Sequence, residues 1–518
     1  MVKGIQKILY VMLACFIGLF IASSFFVRAE YHFYEYGDTP HLGKQQLVLF
    51  ILIIGTVLAL SIFLYKLCLK LNNYSWKIVI PATLLLSCAL QIAIIFLFPR
   101  LPTDDSETVL SLAMNMLYQK DYSTFQTGGY LYMFPFNFSI VLYLKTLLQL
   151  FPDNYLVIKI FNIMFTLVTT LMIYLLYREL NAKYKENDYG VLVFGATYIP
   201  ALFMSNFIYN DVIATAFLTS ALYFSVRFIR TRSIKTIILA AILLAIGNYF
   251  RSIGVIFLIA VLLSLIFNIR KIGVKKAIAS MLLMAALFNV PAWTQNAVLQ
   301  ATNVVNESVI ENSAPVYMWL NMGINKNTFG FWDSRQSYNI YQRDAGYNKA
   351  DSVVLFKESI SNKLSEASIG DLTEMYFKKI VWTWTEGTYQ MERYGMGNDG
   401  SSDTGGRRSF NLERYSYTTW ATDLFKADSN YRTALLWMLY VMSFLMYVGI
   451  FIRLLGGIKG KRFEETSLIL VILGFIGFYL LWEIKSRYIY PVYPLLIVLS
   501  YMGFKDFYEY GWKKYFLR

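Results

Sequence analysis

Metal-binding side chains are nearly missing from this sequence, which holds three cysteines and two histidines in 518 residues. Cys15, Cys68 and Cys88 all lie inside apolar runs, where a thiol packs as a small hydrophobe, so no disulfide framework is expected. With only His32 and His41 beside them and no cysteine pair at ligand spacing, a zinc or copper site is not expected either. Charge is scarce as well. Asp, Glu, Lys and Arg make up 15% of the chain against 57% hydrophobic residues, a balance foreign to a water-soluble domain. No Gly-rich phosphate loop opens a helix, which argues against a cytosolic sugar-nucleotide enzyme. No repeat of solenoid period is present.

What fills the chain instead is apolar runs of about 20 residues, the length that crosses roughly 30 Å of hydrocarbon. They fall near 7–27, 47–67, 78–98, 154–177, 189–206, 211–228, 235–250, 252–268, 277–297, 433–454, 466–484 and 488–504. The expected fold is an all-α polytopic membrane protein of about twelve transmembrane helices, and the first run reads as a retained span. Alternate loops are basic: Lys3 and Lys7; Lys66, Lys70 and Lys77; Arg178, Lys183 and Lys185; Arg227, Arg230, Arg232 and Lys235; Arg270, Lys271, Lys275 and Lys276; Arg453, Lys459, Lys461 and Arg462; Lys505, Lys513, Lys514 and Arg518. The positive-inside rule makes these loops and both termini cytoplasmic. The net charge of +14 is then a topological signal, and no nucleic-acid partner is expected.

Residues 131–150 are apolar enough to span, but counting them would put Arg178–Lys185 outside. With Pro135, Asn137 and Lys145 in it, the segment reads as a helix at the outer surface. The chain then divides into N-terminal transmembrane helices (1–98), a first extracytoplasmic loop with surface helices (99–153), a transmembrane core (154–297), a large extracytoplasmic loop or cap (298–432) and C-terminal helices with a cytoplasmic tail (433–518). Within the cap, the Gly/Asp/Ser stretch 395–406 reads as mobile.

The outer loops collect the residues able to do chemistry. Leu101-Pro-Thr-Asp-Asp-Ser-Glu107 follows a span directly and opens a helical stripe of Leu110, Ala113, Met114 and Leu117. Asp104 or Asp105 could act as a general base on a hydroxyl, with Glu107 beside them. The competing reading is structural: Asp104 and Glu107 have capping-box spacing. Asp211, after Tyr209, is a second outer acid, with helix capping as its alternative. Arg251, between two spans, and the cluster Glu483-Ile-Lys485-Ser-Arg487-Tyr488 supply cations on the same side. Arg251, Lys485 and Arg487 could clamp a phosphate, with Tyr488 alongside, a reading favoured over its alternative, snorkelling at the interface. Lys145 reads as snorkelling first and as a phosphate neighbour second. Tyr209, Tyr488 and Tyr490 could line a sugar site.

These residues resemble the GT-C superfamily of membrane glycosyltransferases, near the protein O-mannosyltransferase and aminoarabinose-transferase branch. The resemblance rests on Asp104-Asp105 after an early span, Phe134-Pro-Phe-Asn137, Tyr209-x-Asp211, the Arg251 turn, and Glu483-x-x-x-Arg487-Tyr488 with Pro491 and Pro494 behind it. It implies a polyprenyl-phosphate-linked sugar donor, a cell-envelope hydroxyl acceptor, membrane lipid as surroundings, and inverting transfer outside the cytoplasm. Asp104 or Asp105, and Asp211, would be the family acids. No cofactor is implied, and a divalent ion on Asp104, Asp105 and Glu107 is not favoured. The chain departs from the family in two extra spans before the first catalytic loop and in a 298–432 loop that matches no known acceptor module. A lipid-linked sugar transporter or flippase, or a polysaccharide polymerase or ligase, stays open as the alternative. The Ile/Asn/Lys/Tyr-rich composition points to cell-wall or teichoic-acid decoration.

Overall fold

A computed structural model describes residues 2–31, 40–152, 154–181, 187–396, 415, 417–426 and 428–509. His32, Lys183, Lys185, Lys513, Lys514, Arg518 and all but the first two residues of the 395–406 stretch lie outside them. The described chain is a helical membrane protein whose one sheet is the hairpin Val27–Glu30 with His41–Lys44, antiparallel, Val27 opposite Lys44. Each apolar run becomes a helix or a helix pair. Among the described residues seven helices are long and apolar enough to cross a membrane, among them Val2–Ser23, Leu47–Leu71, Trp76–Leu97, Tyr155–Leu180 and Asn210–Thr231. Ile234–Phe250, Gly254–Phe267 and Thr466–Leu481 are apolar but shorter.

Three of the expected spans are not continuous helices; the run 277–297 is interrupted at Asn289, between Val274–Phe288 and Val290–Ala301. The run 189–206 divides into Gly190–Ala196 and Ile199–Met204, because Tyr198 is extended and Pro200 opens the second piece. The run 488–504 starts as a 3-10 turn, Ser486–Val492 with Pro491 inside it, before the helix Tyr493–Phe507. Residues 123–150 form two helical pieces that meet at 103°, with Pro135 at the bend. The second piece, Phe138–Leu150, buries Ile140, Val141, Leu144, Leu147 and Leu148 in the main core and exposes Leu142 and Leu150.

The 298–432 loop is more than an appended cap. Its helix Ile369–Thr385 starts at an exposed capping box, Ser368 with Asp371, and ends with Val381, Trp382 and Trp384 inside the main core. Beside it a smaller core welds the loop to the first outer loop, joining Met133 and Phe134 to Met318, Met322, Tyr341 and Phe356. Charged pairs gather at the opposite end of the bundle too. Arg230 pairs with Glu179, Lys505 with Asp188 at 2.9 Å, and Arg453 with both Glu465 and Asp506.

Candidate active site

The outer-assigned loops converge on Asp211. It is the second residue of the helix Asn210–Thr231, fully buried, where the helix N-terminus favours an acid. Its side chain caps nothing. One carboxylate oxygen takes the Arg251 guanidinium and the other accepts from Arg487 Nη1 at 3.3 Å. Arg251 reaches it from a near-absent loop between the helices Ile234–Phe250 and Gly254–Phe267. Gly254 makes that turn possible, since a Cβ there would stand 2.8 Å from Asn248 Cβ.

Arg487 sits on the 3-10 turn Ser486–Val492 and is 2% exposed. Its Nη2 lies 3.7 Å from Asp105 Oδ2, joining the two acid-bearing loops through one guanidinium. The guanidinium is within 4.8–5.3 Å of the ring centroids of Phe207, Tyr209, Tyr394 and Tyr488, an aromatic box suited to a weakly hydrated planar cation. Its Nε is buried and unbonded. The ammonium of Lys485, two residues earlier, makes no hydrogen bond or ion pair with a described residue, so one cation and one guanidinium N–H remain open for a ligand. Glu483 accepts from the Tyr488 hydroxyl at 3.2 Å on both oxygens, and Arg251 lies 5.2 Å from the Tyr488 ring.

The two neighbouring acids differ. Asp104 occupies the N-cap position of the helix Asp105–Met114 but makes no side-chain cap bond. Its backbone at φ 54°, ψ −132° is strained for a non-glycine residue and turns the carboxylate onto Arg393, Nε at 2.7 Å and Nη2 at 2.9 Å. Burial works to raise the Asp104 carboxyl, yet Arg393, with Lys485 and Arg487 behind it, holds it below the ordinary carboxylate value. Asp105 is half-exposed and more lightly held, by Arg487 and by the Tyr130 hydroxyl at 3.3 Å. Tyr130 in turn accepts from Asn137 Nδ2 at 2.7 Å, and Tyr209 donates to Asn137 Oδ1 at 3.2 Å. The Phe134-Pro-Phe-Asn137 element is thus wired to Asp105 through a tyrosine.

Of the residues singled out from sequence, Asp104, Asp105, Asp211, Tyr209, Arg251, Glu483, Lys485, Arg487 and Tyr488 belong to this one neighbourhood. Lys145 does not join it: its ammonium donates to the Tyr122 hydroxyl at 2.8 Å. Glu107 stands half-buried in the first turn of its helix, and it is Ser106 that bonds back to Thr103 there. Tyr490 packs behind the site against Tyr389 and Tyr493. Sequence reasoning missed Tyr130, Arg393 and Tyr394. Among the described residues no three His, Cys, Asp or Glu side chains converge as a metal-ligand group.

Residues 135–294, which carry Asn137, Tyr209, Asp211 and Arg251, match the family model described as dolichyl-phosphate-mannose-protein mannosyltransferase. No curated protein matches the chain. Among solved structures it is similar to the archaeal oligosaccharyltransferase AglB from Archaeoglobus fulgidus in complex with an inhibitory peptide and a dolichol-phosphate. There the identity is 12% and the TM-score 0.40, over 86% of this chain and 52% of that one. The apo form of the Archaeoglobus fulgidus oligosaccharyltransferase gives the same identity and TM-score over 85% and 52%. The chain therefore spans about half the length of these solved proteins. The matched family is one of mannosyltransferases, in agreement with the glycosyltransferase resemblance drawn from the residues alone.

Proposed function

We propose that the protein transfers a sugar from a polyprenyl-phosphate-linked donor to a hydroxyl acceptor of the cell envelope, at the extracytoplasmic face of the membrane. The observation that carries this reading is the meeting of a half-exposed carboxylate, Asp105, with an incompletely satisfied guanidinium, Arg487, and with Lys485, whose ammonium pairs with no described residue. Asp105 takes the proton from the acceptor hydroxyl. The oxygen attacks the anomeric carbon, the bond from that carbon to the phosphate oxygen breaks, and its electrons leave on the lipid phosphate, whose charge is met by Arg487 and Lys485. Asp211 and Arg251 hold Arg487 in place. Asp104, its basicity lowered by Arg393, is the poorer proton acceptor and serves to fix Arg393. A transporter would place such charges in mid-helix breaks; Asp211, Arg251 and Arg487 instead stand at helix ends, which favours the transferase.

The test is transfer from a panel of polyprenyl-phosphate hexoses to envelope extract, in detergent, with products identified by mass spectrometry. Asp105→Asn keeps the shape and loses the base, so turnover should fall by about a hundred- to ten-thousandfold with donor binding intact. Full activity in Asp105→Asn together with a dead Asp104→Asn would exchange the two roles. Full activity in both would end the carboxylate-base mechanism.

A further inference from the structure

Behind Asp104 lie two buried cations that no described carboxylate answers. Arg100 follows the helix Trp76–Leu97 and is 9% exposed; Nη2 donates to Thr103 Oγ1 at 3.3 Å, and Nε is buried with no partner. Lys159, 2% exposed near the start of Tyr155–Leu180, donates at 2.9 Å to Arg100 O and at 2.9 Å to Asn206 Oδ1, both neutral. An ammonium carries three N–H groups, so one of its donors has no hydrogen-bond partner among the described residues, with the Tyr155 ring centroid 5.2 Å away. Asn206 also donates to Phe98 O and Gly395 O, tying the Arg100 segment to the stretch that carries Arg393. Burial, and then the neighbouring Arg393, pull Arg100 down to about 10 against the smaller opposing effects of Tyr155 and Asp104. Uncompensated buried charge is costly, and Arg487 by contrast answers to Asp211 and Asp105.

We propose that Arg100 and Lys159 form a second oxyanion subsite, beside the lipid-phosphate clamp, that takes a phosphate group. Given the glycosyl-transfer reading on which this assignment of a source rests, that phosphate is either borne by the acceptor or is the second phosphate of a pyrophosphate-linked donor. Arginine with an open edge suits a phosphate oxygen, and the spot adjoins the acid pair where acceptor and donor meet.

Binding to the purified full chain in detergent, by calorimetry, tests the proposal without any transfer step, so it can fail or succeed apart from the glycosyl-transfer reading. The probes are glycerol 3-phosphate with glycerol as control, polyprenyl monophosphate, and polyprenyl pyrophosphate. Arg100→Gln should weaken glycerol 3-phosphate by about ten- to a hundredfold if the acceptor brings the phosphate, or polyprenyl pyrophosphate by that factor if the donor does. In either case polyprenyl monophosphate binds as before. Loss of monophosphate binding to the same degree, or no change with any probe, overturns the subsite. Arg100→Lys keeps the charge and loses the fork, so its phosphate binding should be intermediate. Unchanged binding of every probe by folded Arg100→Lys overturns the proposal even where Arg100→Gln does not fold.

Discussion

Replacing Asp211 by Asn should cost stability before it costs chemistry. The carboxylate is fully buried and is shared by Arg251, 13% exposed at its side chain, and Arg487, 3% exposed. Asn fills the same space and removes the charge, leaving two guanidinium groups facing each other across a site with little water. Breaking one buried pair in this way costs about 3–5 kcal/mol, or two to four orders of magnitude in the folded-to-unfolded ratio. Asp105 remains within 3.7 Å of Arg487 and offsets part of that, so the lower figure is the better expectation. The assay is heat-induced loss of the monodisperse peak in detergent, with polyprenyl-phosphate binding measured on the surviving fraction. Arg251→Gln in the same chain removes one stranded charge, so the double variant should be more stable than the sum of the single losses predicts. If Asp211→Asn melts with the wild type, or if the two losses simply add, Asp211 is not the electrostatic hub of the site.

Three further expectations follow from single contacts. Arg393→Gln and Asp104→Asn should each slow transfer by about tenfold, with the double variant no worse than either, because the two side chains act through one bidentate pair. Independent, multiplying losses would refute that coupling. Lys379, 1% exposed in the 298–432 loop, donates to Gly323 O at 2.6 Å, and burial pulls it down to about 7 from 10.5. The unfolded chain then binds more protons between those values, so stability rises with pH from about 7 to 10 by about 1.4 kcal/mol per unit at this residue, and Lys379→Met should flatten the slope. An unaltered slope would place the ammonium in water. In a cysteine-free chain, single cysteines at Glu307, Lys120 and Phe151 should label from outside and those at Arg232 and Lys461 only after permeabilisation. External labelling at Arg232 would reverse the orientation.

Much of the site was legible because charge alternation sorts loops by side, and same-side loops of a bundle end up together. Asp105, Asp211, Arg251 and Arg487, spread over most of the chain, meet for that reason. Arg393 and Tyr394 were not legible. They lie in a polar loop without apolar periodicity, and their partners are distant in sequence: Asp104 for one, Arg487 for the other. The Asp104–Glu107 spacing suggested a capping box, but spacing reports only what a side chain could reach. The positive φ at Asp104, which no local pattern announces, turns the carboxylate to Arg393 instead. Lys145, read first as snorkelling and only second as a phosphate neighbour, gives its ammonium to the Tyr122 hydroxyl. The division of the 189–206 run at Tyr198 and Pro200 was readable in principle from the proline.

The arrangement of charges explains how the site can be rigid and still receptive. Four acids, Asp104, Asp105, Asp211 and Glu483, stand among four cations, Arg251, Arg393, Arg487 and Lys485, so the neighbourhood is close to neutral. Arg251 is spent on Asp211 and Arg393 on Asp104, and those pairs set geometry. Arg487 is held by two carboxylates and four rings, yet keeps Nε open, and the Lys485 ammonium is bonded to none of the described residues. A phosphate can therefore gain two donors without breaking the pairs that aim them, which is what preorganised stabilisation of a leaving group requires. The 298–432 loop completes the same device. Tyr394 lies 4.8 Å from the Arg487 guanidinium, Gly330 O accepts from Ile484 N at 2.8 Å, and Gly323 packs where any Cβ would strike the backbone of Leu481 and Trp482. The turn bearing Glu483, Lys485 and Arg487 is thus pinned from above by the loop and from below by Asp211. Any change that loosens the loop should reach the proposed phosphate clamp first, through that turn.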